Sequence, residues 1–231
     1  MQYLFTPPNT HYDGGLGATA NQFATAADRL EQNDSSMDGV LPKSYLRRHA
    51  LELWFKSFIV ILHKKFKIPY GDGFSHEIPA IVVNGKWKAL SNTHNLIDLY
   101  SYFHNIYEIN KAEFPEGINW DFPNTIKRQV ELVSGSDPKS TYFRYPESSN
   151  KTQDSKKSTV QVEPLDSMIE SSEKSGKPFK AFVYVDSDYN VQESFNIGTS
   201  PLPKVMEALR ELNDFFRGVH AAFRVKLTNG Y

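Results

Sequence analysis

The chain has 231 residues, of which 39% are hydrophobic and 13% aromatic, including 16 Phe and 12 Tyr; that is enough apolar material for a packed interior and excludes a disordered chain. Its 26 Lys and Arg against 27 Asp and Glu leave a net charge of −1, so any attraction for a polyanion has to be local. The absence of Cys excludes disulfides and thiolate metal sites and fits a cytoplasmic protein.

The opening 16 residues, rich in Pro, Gly and Asn, read as an extended arm, and their polar start is unlike a signal peptide. Ala20, Phe23, Ala24, Ala27 and Leu30 then recur at helical spacing up to a break at 33–39. Pro42 suits the first turn of a second helix, predicted over 42–67 and ended by Pro69 and Gly71. Leu46, Ala50, Leu51, Leu53, Trp54, Phe55, Phe58, Val60, Ile61 and Leu62 cover most of its circumference, which places it in the middle of a bundle. Its longest strongly apolar run, Phe58 to Leu62, is far short of the roughly 20 residues that span a bilayer, so no membrane association is expected.

Residues 68–92 read as a loop with a small extended piece at Ile81-Val82-Val83. Ser91, Asn92 or Thr93 can cap a third helix carrying Leu96, Leu99, Tyr100, Phe103 and Tyr107, and a fourth follows with Ile126, Val130 and Val133 on one face. The polar, Ser- and Lys-rich segment 147–159 reads as a mobile loop, Val160-Gln161-Val162 as a short strand, and 179–195 as a β-hairpin turning at Asp186–Asn190. A last helix begins near Pro201. Leu202, Val205, Leu209, Leu212, Phe216, Val219 and Phe223 give it an a/d seam, which packs either in its own bundle or across a homodimer or partner-protein interface over 202–223. The expectation is one mainly α domain over 1–231, a bundle of four to five helices with a small β-hairpin inserted before the C-terminal helix.

The second helix holds Lys43, Arg47, Arg48, Lys56, Lys64, Lys65 and Lys67 against a single acid, Glu52. The lysines at its end favour the helix dipole. Arg47 and Arg48 lie in its first turns, where the dipole disfavours cations, and so require either a neighbouring carboxylate or a bound phosphate. Lys56 adds to the same candidate nucleic-acid surface. His49, Glu52, Lys56 and His63 fall in one narrow stripe, which is either a polar site, with Glu52 positioning His49 or Lys56, or a solvent-facing strip with a Glu–Lys pair. His94 opens the third helix, and Arg144, between Phe143 and Tyr145, either stacks on a base or snorkels past aromatics. His76-Glu77 lacks a second histidine for a metal helix, and Asp186-Ser187-Asp188 reads as turn chemistry rather than a cation loop. The phosphate-loop, dinucleotide and nucleophile-elbow motifs are all missing, so neither a cofactor nor a metal is expected.

The segment Tyr45-Leu46-Arg47-Arg48-His49-Ala50-Leu51-Glu52-Leu53-Trp54-Phe55-Lys56 resembles the R-H-x-x-E-L-x-x-K helix of certain bacterial HEPN-like proteins. There it is followed by an H-[ND]-L helix start, here His94-Asn95-Leu96, and by F-R-Y-P, here Phe143-Arg144-Tyr145-Pro146. The resemblance spans roughly 40–146. It implies a compact, often dimeric helical bundle that binds or cleaves RNA in anti-phage or toxin–antitoxin systems. The R-x4–6-H motif of catalytic members is missing, because Arg47 and Arg48 stand directly beside His49. The expected function is thus RNA or DNA binding or regulation through Arg47, Arg48, Lys56 and Arg144. A metal-independent ribonuclease would assemble its site from separate segments, with Arg48, His49, Glu52, His94 and Arg144 as candidates. An adaptor without nucleic-acid affinity is the third reading.

Overall fold

Helix α2 (Val40–Lys65) is buried on nearly every side: Ala50, Leu51, Trp54, Phe55, Phe58, Ile59, Ile61 and Leu62 have essentially no exposed surface. A helix so apolar must be wrapped by others, and α1 (Leu16–Asn33), α3 (Leu96–Asn110) and α6 (Leu202–Lys226) do the wrapping. The computed structural model describes residues 7, 10–33, 39–137, 140, 143, 160–197 and 202–230. The expected loop at 147–159 and Arg144 lie outside the described residues.

By compactness the chain forms two units, 1–146 with 205–231, and 147–204, where the sequence reading placed 1–231 in one domain. The first unit is helical. Asn84 and Gly85 both take positive φ, 51° and 75°, making the tight turn that joins β1 (Ala80–Val83) to β2 (Lys86–Ala89). The expected extended piece at Ile81-Val82-Val83 is thus β1, and the Asn-Gly turn and β2 complete a hairpin that the sequence did not reveal. The third helix is capped by Asn95, whose side chain accepts from the Ile97 and Asp98 amides at 2.9 and 3.4 Å, rather than by Ser91, Asn92 or Thr93. Helix α4 (Thr125–Ser136) buries Ile126, Val130 and Val133.

On α6, Val205, Leu209, Leu212, Phe216 and Phe223 are buried, and Phe216 meets the Phe55 ring at 4.9 Å while Phe223 meets Phe58 at 5.0 Å. Five of the seven a/d residues are therefore spent inside the chain's own bundle, while Leu202 and Val219 are half-buried, and nothing among the described residues supports the expected interface over 202–223. Where α1 passes α6, Gly17 is required: a Cβ there would stand 1.9 Å from His220 Nε2.

The second unit holds the expected hairpin, β4 (Ala181–Val185) and β5 (Val191–Ile197), with β3 (Val160–Val162) on the far side of β5 in the order β3-β5-β4. It also holds α5 (Leu165–Ser175), absent from the sequence reading, which runs from Pro164 to a left-handed Gly176 at φ 65° and buries Met168. Among the described residues no helix is long and apolar enough to cross a membrane.

Candidate functional site

Four of the candidate side chains converge where α2 passes the start of α3 and the end of α4. Glu52 lies at their centre, 1% exposed. Its Oε1 accepts from Lys56 Nζ at 2.9 Å and from His94 Nδ1 at 2.8 Å, and its Oε2 accepts from Arg48 Nη1 at 3.0 Å. Arg48, fully buried, also donates from Nη2 to the His94 carbonyl at 2.7 Å, and its Nε lies 3.2 Å from Asp137 Oδ2. Asp137 is the C-cap of α4, where a cation meets the negative end of the helix dipole. Arg48 thus ties three helices together.

Burial alone would push the Glu52 carboxyl up, but the Lys56 and Arg48 charges and the Lys56 and His94 hydrogen bonds overturn this and hold it below its usual value. An ionised Glu52 can only accept, so the proton on that side of the His94 ring sits on Nδ1 and the neutral ring keeps its lone pair on Nε2. Among the described residues Nε2 has no partner, and the His94 side chain is 50% exposed. The cluster therefore presents one oriented imidazole to solvent, backed by a buried carboxylate.

The other predicted residues are placed elsewhere. Arg47, expected to hold a phosphate or a carboxylate, takes carboxylates: Nη2 pairs with Glu31 and, at 3.4 Å, with Asp28 of α1. Asp28 also holds Arg217 Nη2 at 2.7 Å. His49 is not part of the Glu52 cluster; it packs on the Phe23 and Tyr45 rings at 4.6 and 5.8 Å. The stripe is not a solvent-facing strip, since Glu52, Lys56 and His63 are all buried. Arg47, Arg48 and Lys56 are likewise buried and neutralised within the fold, which removes them as a nucleic-acid-binding surface. Asp186 organises its turn by accepting from the Asp188 and Asn190 amides, both at 2.9 Å. Among the described residues no group of three His, Asp or Glu is arranged to hold a metal ion.

His63 has a structural role. Its Nδ1 bonds the Ile68 carbonyl at 3.0 Å, its Nε2 bonds the Tyr102 hydroxyl at 2.9 Å, and its ring stacks on Tyr70 with centroids 4.0 Å apart. Burial is the main reason its pKa falls to about 4. The unfolded chain then binds a proton near pH 6.5 that the native state refuses. Stability should be complete above about pH 6.5 and should decline as pH drops towards 4. His63→Gln should flatten that part of a melting-temperature profile; an unchanged slope would remove His63 as its source.

Sequence reasoning missed a second buried cluster. Asp13 Oδ2 accepts from the Ser57 hydroxyl at 2.5 Å and from the Gly17 amide at 2.7 Å, and Asn21 joins His220 Nδ1 at 3.2 Å. Burial pushes the His220 pKa down and the Asp13 charge partly offsets it. Asp13, Ser57 and His220 are sealed from solvent, so this serine, acid and histidine fasten α1 to α2 and α6. Comparisons with protein families, with curated proteins and with solved structures each return no match for this chain.

Proposed function

We propose that the chain is a HEPN-like protein that acts on RNA without a metal, with His94 as its proton-transfer group. The observation that carries this reading is the 2.8 Å bond from the half-exposed His94 ring to the buried, ionised Glu52. A carboxylate behind Nδ1 orients the ring and fixes its tautomer, leaving Nε2 to take a proton. From a ribose 2′-hydroxyl, that proton transfer lets the 2′ oxygen attack the adjacent phosphorus. The 5′ oxygen departs with a proton from water, leaving a 2′,3′-cyclic phosphate and a 5′-hydroxyl. Arg48 and Lys56 support the site by fixing Glu52 rather than by touching RNA. A place in an anti-phage or toxin–antitoxin system is supported by the family resemblance alone.

The test is cleavage of tRNA or mRNA in EDTA. Wild type should yield cyclic-phosphate ends, and His94→Ala should lose about 10²–10⁴-fold in rate with an unchanged circular dichroism spectrum. Intact RNA with wild type, or full activity in His94→Ala, would sink the reading. The adaptor reading draws on a different observation, the apolar sheet face of the second unit, where Phe182, Tyr184 and Val162 are 64%, 70% and 80% exposed.

A further inference from the structure

Strand β4 has β5 on one side and, among the described residues, no strand on the other. The Ile197 amide donates to the Lys180 carbonyl at 2.8 Å, so in the antiparallel ladder residues 180, 182 and 184 turn their backbone groups to β5. The pairing shifts register between Tyr184 and Val185, but beyond it the Asp186 amide again donates to β5's side, to the Asn190 carbonyl at 3.0 Å, so Ala181, Val183 and Val185 aim theirs at the open edge. Exposed edges are usually blunted by a charge, a proline or a very short strand. The run Ala181-Phe182-Val183-Tyr184-Val185 has no charge or proline, and four of its five side chains are exposed.

We propose that this edge pairs with the same edge of a second copy of the chain, antiparallel about a two-fold axis through Val183, to make a continuous six-stranded sheet. This register alone uses all three outward residues: Val183 faces the partner's Val183, and Ala181 faces the partner's Val185. The same register sets Lys180 opposite the partner's Asp186 at both ends of the seam, since the β4 core is flanked by one cation and one anion. It also sets Phe182 against the partner's Tyr184, an aromatic pair on the face shared with Val162 and Phe195. The apolar rows of the two copies then run together across one broad face. The interface is isologous and closes at two copies. It uses no residue of the His94 cluster, and RNA cleavage is a separate readout.

The experiment is sedimentation velocity from low to high micromolar concentration. Wild type should pass from monomer to dimer. Val183→Pro removes an amide that β4 does not lend to β5, so the hairpin survives while association weakens about tenfold or more. Lys180→Glu sets like charges together at both ends and should weaken the dimer most at low salt. Because the chain has no Cys, Val183→Cys should give a single symmetric disulfide dimer on oxidation, the roughly 5.5 Å Cα spacing of such a pair being bridgeable. Gln161→Cys, on the opposite edge strand, should not cross-link. A wild type that stays monomeric at every concentration overturns the proposal. So does a dimer that is indifferent to both Val183→Pro and Lys180→Glu and is not captured by Val183→Cys.

Discussion

Replacing Glu52 with alanine should lower the unfolding free energy by about 3–5 kcal/mol, the penalty for breaking a buried ion pair by removing one partner. Glu52 receives Arg48, Lys56 and His94 on its two oxygens. Its loss leaves the buried Lys56 without the carboxylate it pairs with among the described residues, and the buried Arg48 beside Asp137. A chain of ordinary stability, about 5–15 kcal/mol, would be left marginal. Urea unfolding at neutral pH measures this as a fall in midpoint, and a loss under about 1 kcal/mol would show that the cluster is wetter than its burial implies. Removing every charge at once, with Arg48→Met, Glu52→Leu, Lys56→Met and Asp137→Asn, should recover most of the loss, since apolar replacement of a buried network is often neutral. The pH dependence has a definite sign. With its folded pKa lowered, Glu52 contributes stability above the ordinary carboxylate range and loses it as pH falls through the folded value.

Phe216→Ala should destabilise by a similar amount, about 3–5 kcal/mol, through packing alone. The ring is fully buried and meets Phe55 edge-on at 4.9 Å, Phe215 at 5.1 Å, and Phe58 and Phe122 at 6.0 Å each. Its removal opens a cavity where α6 closes on α2 and α3, and edge-to-face partners add about 0.5–1.5 kcal/mol per pair beyond the area buried. Scanning calorimetry should show the melting point falling by roughly 10 °C. The neighbouring Phe215 is half-buried and its truncation should shift the midpoint less; equal effects would mean that α6 is rotated from its described facing.

The helical pattern was legible wherever apolar residues repeat strongly. The seam residues Val205, Leu209, Leu212, Phe216 and Phe223, most of the apolar positions of α2 and the core positions of α3 and α4 were read from periodicity and are buried as read, while Leu46, Leu53 and Val219 are half-buried. Local chemistry was harder. The Asn84-Gly85 turn is a standard hairpin signal but sits in a short, Lys-rich segment without clean alternation, and Pro164 and Gly176 bracket a helix whose Ser-rich filling obscured it. At the site, sequence spacing brought Glu52 to Lys56 correctly, yet Arg48 and His94 meet through a tertiary contact between two helices that no helical period encodes. Burial decided the fate of the cations. A charge tally sees Arg47, Arg48 and Lys56 as a basic surface, whereas Asp28, Glu31, Glu52 and Asp137 lie on other turns and other helices and neutralise them only after folding.

The closure of Phe55 and Phe58 by Phe216 and Phe223 also orders events during synthesis. The most oily helix of the chain leaves the ribosome long before the segment that seals it, an interval on the order of 10 s at 5–20 residues per second. Throughout that interval the nascent α2 has only α1 and then α3 to shelter it, so chaperone engagement should persist until α6 emerges.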